Sequence, residues 1–308
     1  MPTVSINHVT RYRYRRDVAF GEHRIAVRPR ESFDQRLLAA DLAISPEPQR
    51  LRWLQDVFGN AVAIASFAPS TRAETLEVRG FAEVEHFPTD PEDIAVEDYA
   101  SEYPFTYSAA DMPDLLRSIE RQYPDPDRIV DRWAHDFLPD GHSRPTLELL
   151  TEMTETIKRD FTYQRREEKG IQTPLLTLGK GSGTCRDYAV LMLEAVRALG
   201  LAARFVSGYT YTPEGSNARV GGHSTHAWVR VFLPGSGWIE FDPTNAIIGN
   251  RGLIRVAVAR DPQQAKPLSG TWTGVKGSQI DMDVDVRIKH VETAARHPEF
   301  AEREPQRC

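Results

Sequence analysis

Apolar residues alternate with polar ones through the first part of the chain: Val4, Ile6, Thr10, Tyr12 and Tyr14, then Leu38, Ala40, Leu42 and Ile44, then Leu76, Val78, Ala82 and Val84. A period of two sends successive side chains to opposite faces of an extended strand, so each set marks the buried face of a half-solvated sheet. Pro29, Ser45-Pro46 and Gly59-Asn60 supply turns between the sets. The pattern predicts an antiparallel β domain over residues 1–90, of about six strands and built as a small sandwich. Arg11, Arg13, Arg15 and Arg16 alternate with Tyr12 and Tyr14 and read as the solvent face of the first strand.

The period then changes. Residues 88–113 are rich in proline and acid without sustained periodicity, and read as part of a connecting and helical segment spanning 91–145. Helical spacing appears near 114–122 and 127–137, then at Leu147, Leu150, Thr154, Ile157 and Phe161, with Pro145 suited to the first turn. A second domain is expected over 146–291. Its best-marked helix runs from Cys185 to Leu199, with Tyr188, Leu191, Met192, Ala195, Val196 and Leu199 on one face and Gly200 ending it. Strands are predicted at Arg204–Tyr211, His226–Phe232 and Trp238–Asp242, and a late pair, Leu253–Ala259 and Met282–Ile288, is expected to extend that sheet. Residues 292–308 hold too few apolar side chains to pack and read as a flexible tail. The fold class is therefore α+β.

Composition narrows the function. With 308 residues, 40% hydrophobic and 27% charged, the chain has ordinary globular makeup and room for two domains. A formal charge of -6 leaves no global basic field for nucleic acid or anionic lipid. Met-Pro-Thr-Val-Ser is not a signal peptide, and Glu194, Arg197 and Arg204 interrupt the apolar stretch near 190–206, so a cytoplasmic protein without a membrane partner is expected. Two cysteines support neither a disulfide framework nor a four-cysteine zinc site. Asp281, Asp283 and Asp285 lack the glycine and distal glutamate of a calcium loop, and no cofactor or metal is expected.

Cys185 sits where a helix begins. Gly181-Ser-Gly183-Thr184 reads as a flexible loop before it, and Thr184 and Asp187 are spaced as an N-cap and its partner three residues on. First-turn N–H groups and the helix dipole favour a thiolate, the reactive form, and offer an oxyanion site. The plainer reading is a small core residue beneath Tyr188 and Met192, since free cysteine is among the most buried types. A phosphate loop is excluded, because Pro174 stands where its first glycine belongs.

His226-Ala-Trp-Val-Arg-Val-Phe232, the turn Pro234-Gly-Ser-Gly237 and Trp238-Ile-Glu-Phe-Asp242 read as a hairpin with His226 and Asp242 at its open end. The two share a face only if paired residue numbers sum to an even value, as with Phe232 opposite Trp238. Pairing Leu233 with Trp238 would send Asp242 to the opposite face. Taken singly, a histidine opening a strand is a surface or hydrogen-bonded residue and an aspartate before proline a turn residue. His223, three before His226, raises a zinc alternative that strand alternation disfavours.

Assembled, Gly-Ser-Gly-Thr-Cys185-Arg-Asp-Tyr, Ala-Arg204-Phe-Val-Ser-Gly208-Tyr, His226-Ala-Trp-Val-Arg-Val and Trp238-Ile-Glu-Phe-Asp242-Pro-Thr-Asn resemble the bacterial transglutaminase-like superfamily, strongly over about residues 145–250. The resemblance implies a papain-like core, a cysteine helix packed on an antiparallel sheet, preceded by the β domain. It implies a catalytic triad of Cys185, His226 and Asp242, a protein, peptide or amide substrate, and acyl transfer through a thioester. Relatives often add a further oxyanion donor, such as an aromatic side chain; the sequence assigns that role to neither Tyr163 nor any tryptophan, and Tyr163 is the guess. Hydrolysis is preferred to transamidation, since no amine-acceptor site is legible. A non-catalytic protein-binding module on the same fold is the rival from another class.

Overall fold

The computed structural model describes residues 2–138, 143–164, 170–213, 215, 219–221 and 224–291. Five strands open the chain: β1 (Thr3–Ile25), β2 (Gln35–Ser45), β3 (Arg50–Gln55), β4 (Ala61–Ser66) and β5 (Arg72–His86). β6 (Glu102–Tyr103), α1 (Met112–Ile119), α2 (Ile129–His135) and β7 (Arg144–Pro145) come next. Then follow α3 (Thr146–Asp160), β8 (Thr162–Tyr163), α4 (Pro174–Lys180), β9 (Ser182–Gly183) and α5 (Cys185–Ala198). The chain continues through β10 (Ala203–Thr210), β11 (His226–Leu233), β12 (Gly237–Asp242), β13 (Ile247–Ile248), β14 (Leu253–Ala259), β15 (Leu268–Thr273) and β16 (Gln279–Val291).

The expected sandwich is one hydrogen-bonded sheet of seven strands, not two sheets. β1 is long enough to serve two halves: its first half lies between β5 and β16, and its end lies between β15 and β4. Register shifts after Arg13 and after Phe20 interrupt the ladder between these halves. Residues of both halves, Tyr14, Val18, Ile25, Ala63, Leu76 and Val78 among them, form one buried cluster. A bulge also corrects the inward set on β2. The register slips between Leu37 and Ala39, so Leu37 packs inward while Leu38 is left 48% exposed.

The second sheet runs β13-β12-β11-β10-β14, all antiparallel. The expectation that Met282–Ile288 extends it is corrected: that segment lies in β16, which pairs with β1 from Thr3↔Val291 to Tyr14↔Gln279. Alternation identified a strand there but could not name its partner. Leu253–Ala259 does join, as β14 beside β10.

α5 lies at the centre, in the largest core with Phe205, Ala227, Val229 and Val231 of the sheet. α1, α2 and α3 contribute Leu115, Val130 and Leu149 to the same core. The 91–145 segment is likewise no loose connection. Ile94, Ala100, Tyr103 and Tyr107 are buried, and the Tyr107 hydroxyl accepts from the Ala202 N–H (2.9 Å) and donates to the Phe232 carbonyl (3.0 Å). Across the sheet, Tyr209, Tyr211, Ile254 and Val256 meet Val4, Ile6 and Val84 of the N-terminal sheet.

A buried ionic network ties the two sheets. Arg255 of β14 binds both Asp34 oxygens, Glu240 of β12 (2.8 Å) and the Ser32 hydroxyl (2.7 Å). Burial pushes the Asp34 carboxyl up, yet its bonds to Arg255 win and hold it down at about 2.

Candidate active site

The segment before Cys185 is built rather than flexible, which corrects the loop expected at Gly181–Thr184. Thr173 caps α4, its hydroxyl oxygen accepting from the Leu176 N–H at 3.2 Å, and Gly181 ends it with a positive φ of 57°. Ser182 and Gly183 then pair in parallel with Thr162 and Tyr163. The expected cap is present: the Asp187 carboxylate accepts from the Thr184 N–H and hydroxyl, both at 2.8 Å, and from the Gln172 N–H at 2.7 Å. A Cβ on Gly183 would stand 2.8 Å from that of Asp187, so this approach requires glycine. Together these contacts fix Cys185 as the first residue of α5, buried at the point where the helix points its unpaired N–H groups.

The hairpin has the register that brings His226 and Asp242 to one side. Phe232 lies opposite Trp238 and Leu233 opposite Gly237, leaving a three-residue turn of the required parity. His226 Nε2 donates to Asp242 Oδ2 at 2.8 Å, with both side chains fully buried. An ionised carboxylate only accepts, so the neutral ring carries its proton on Nε2 and leaves Nδ1 as the base. Nδ1 makes no hydrogen bond of good geometry among the described residues, yet Cys185 and His226 interact directly.

The electrostatics follow from that contact. Burial pushes the Cys185 thiol up, but His226 and then the Arg186 charge outweigh it, and the thiol lies below its ordinary value. Burial lowers the imidazole, while the Asp242 charge and hydrogen bond, with Cys185, raise it well above the usual histidine range. Burial raises Asp242, but His226, Asn245 and the Thr244 N–H hold it below the usual carboxylate range. Both shifts act in one direction, favouring the thiolate beside the imidazolium over the neutral pair.

Sequence reasoning missed several neighbours. The Trp228 ring stacks against His226 (centroids 5.9 Å, 30° between planes), and Gly208 on β10 gives it room, since a Cβ there would meet Trp228 Cη2 at 2.6 Å. Arg186 donates to the Thr225 hydroxyl at 2.6 Å, linking the residue after Cys185 to the residue before His226. Asn245 donates from Nδ2 to Asp242 Oδ2 at 2.8 Å. Asn245 was visible three residues after Asp242, but only the turn that carries it reveals the contact. Tyr163 pairs with Gly183 and meets Tyr188 edge-on at 6.3 Å, beside the cysteine segment. His223, raised as a zinc ligand, and Cys308 lie outside the described residues. Among the described residues no group of three or more His, Cys, Asp or Glu is placed to hold a metal. No helix among them is long and apolar enough to cross a membrane.

Fold and site define an α+β protein with a thiol at a helix start held against a histidine–aspartate pair on an antiparallel sheet. Residues 137–243 match the transglutaminase-like superfamily, and residues 4–85 match the bacterial transglutaminase-like N-terminal region. An uncharacterized protein of Mycobacterium tuberculosis is 32% identical over 300 residues, covering 91% of each chain. The chain belongs to the transglutaminase-like superfamily. A protein-glutamine gamma-glutamyltransferase of Pseudomonas aeruginosa is 38% identical over 73 residues, 23% of this chain and 11% of that protein. The crystal structure of a candidate cysteine protease from Cytophaga hutchinsonii superposes with a TM-score of 0.70 at 18% identity, covering 95% of this chain and 91% of that one, a likeness of fold.

Proposed function

We propose that this protein is a cysteine-dependent acyl-transfer enzyme acting on a peptide or glutamine-type amide. The observation that carries the reading is the buried His226–Asp242 bond, with Cys185 at the start of α5 close enough for His226 to favour its thiolate.

In this reading the Cys185 thiolate attacks the amide carbonyl, forming a C–S bond, and the negative oxygen is stabilised by N–H groups at the start of α5. The C–N bond breaks as His226 gives its Nδ1 proton to the departing amine or ammonia, leaving a thioester. His226, neutral again, then takes a proton from water or from an acceptor amine as that nucleophile attacks the thioester. The C–S bond breaks and Cys185 is restored. Asp242 holds the ring in the productive tautomer and stabilises its cation throughout. Water as acceptor gives a peptidase or amidase, and an amine gives a transglutaminase.

Mass spectrometry of the intact protein after exposure to a library of peptides and amides tests this. A mass increase on Cys185 equal to the acyl portion of one substrate is expected, absent in Cys185→Ala. A Cys185→Ala protein that still turns over an authentic substrate refutes the proposal. A folded wild-type protein that forms no adduct and releases no product supports the binding-module alternative instead.

A further inference from the structure

The turn between β12 and β13 contains a backbone conformation that its residue does not favour. Ala246 has φ 54°, the left-handed region, where a non-glycine residue is strained. The turn formed by Pro243 to Ala246 brings Asn245 back over the residue that opened it. Its Nδ2 donates to Asp242 Oδ2 at 2.8 Å and lies 3.4 Å from His226 Nε2, so two N–H donors converge on one carboxylate oxygen. The other oxygen, Oδ1, accepts from the Thr244 N–H at 2.9 Å. Asn245 Oδ1 in turn accepts from the Val220 N–H at 2.9 Å, which fixes the amide's orientation. Gly221, the next residue, has φ 94° and sits so close to the imidazole that a Cβ would stand 2.8 Å from His226 Nδ1.

We infer that Asn245 is a positioning residue of this site: one side chain fixes the Asp242 carboxylate and, through Val220, seats the Gly221 backbone against the histidine ring. The inference rests on the acyl-transfer reading of Cys185, His226 and Asp242. Its physical content is orientational. A carboxylate held by one donor on each oxygen can rotate, whereas a second donor on Oδ2 locks that oxygen toward Nε2 and so holds the ring in one orientation and one tautomer. Asn245 is neutral, so it adds orientation without competing for the imidazolium charge. The other charged groups bearing on the site are Arg186, which acts on Cys185, and Arg219, which acts on Asp242.

The test is the pH dependence of Cys185 alkylation by iodoacetamide in a Cys308→Ser background, compared among the parent protein, Asn245→Ala and Asn245→Asp. The parent should alkylate fast across a plateau from mildly acidic to mildly alkaline pH. Loosening Asp242 weakens the imidazolium that favours the thiolate, so the acid limb should move to higher pH. In Asn245→Ala the acid limb should move up by about one pH unit, a loss on the order of tenfold in rate on that limb. Asn245→Asp is nearly isosteric but places a second acceptor beside Asp242. It should lose more than the alanine variant at neutral pH and recover toward acid, where the introduced carboxyl takes a proton and can donate. An unchanged plateau in both variants overturns the inference, as does a lowered melting midpoint with no change in the profile, which is the mark of a purely structural role. A parent protein whose Cys185 alkylates no faster than a free thiol fails at an earlier step, refuting the triad reading itself. Asn245→Asp carries the same test should the alanine variant not fold.

Discussion

Gly221 and Asp242 differ in chemistry but are held to one conformation by the same histidine. At Gly221 both the positive φ and the space require the absence of a side chain. Gly221→Ala should therefore cost about 1–2 kcal/mol in stability and lower Cys185 alkylation by at least about tenfold by moving the ring, measured by urea unfolding and by iodoacetamide kinetics. Asp242→Asn should leave the fold in place and lower turnover by on the order of 10³–10⁴, because the new amide favours the wrong tautomer. Circular dichroism beside kinetics on the substrate found by adduct screening checks both halves. At this scale the sequence was most readable for the residues with chemistry of their own. Cys185 opened a helix, and His226 and Asp242 stood at the open end of a hairpin whose parity decided their faces. Asn245, Gly221 and Trp228 were not readable in the same way. Their contacts arise from the turn at Ala246, the close approach at Gly208 and the return of Val220, none of which leaves a periodic trace.

Helix α5 shows how an element can be legible in extent and not in setting. Its ends were marked by Thr184–Asp187 and Gly200, and the observed helix stops within a residue of the expected one. Its surroundings were not marked. Glu194 and Arg197 interrupt its apolar stretch, and both are buried, paired at 3.0 Å. Glu194 also accepts from the Gln122 and Tyr123 N–H groups, and Arg197 donates to the Ser118, Ala203 and Arg260 carbonyls. Charges placed to bond the ends of neighbouring segments look in sequence like a solvated face. Glu194→Ala leaves an unpaired buried guanidinium, and a loss of about 3–5 kcal/mol is expected in urea unfolding. α4 went unread because its seven residues are too few for a period to emerge, although Thr173-Pro174 and Gly181 were its cap signals.

For the whole molecule, the contact between the two sheets is the part most sensitive to solution conditions. His8 Nδ1 donates to the Tyr209 hydroxyl at 2.8 Å, which itself donates to the Val27 carbonyl, and His8 Nε2 accepts from Thr10. His86 Nδ1 likewise lies 2.8 Å from the Tyr211 hydroxyl. Burial lowers both imidazoles from 6.5 to about 4. The unfolded chain then binds more protons than the folded one between those values. Stability from these groups is fully present above pH 6.5 and drains away as pH falls toward about 4, by roughly 3 kcal/mol for each histidine at most. Urea unfolding across that range should show the fall, and His8→Gln should flatten part of it. Asp34→Asn, which strips Arg255 of its principal partner, should cost about 3–5 kcal/mol and be read by the same method. The alternation at Val4–Tyr14 and at Asp281–Val286 announced strands, but which strands meet is a long-range fact that neither segment encodes locally.

The pairing of β16 with β1 sets an order on the life of the chain. During synthesis β1 can pair with β5 once residues 72–86 have followed it, but its other edge waits for β15 and β16, which lie beyond the cysteine-bearing unit. The whole cysteine-bearing unit is thus an insertion between two parts of one sheet. A nascent chain halted before Leu268 carries that edge of β1 open, the kind of surface that recruits chaperones and strays into aggregation.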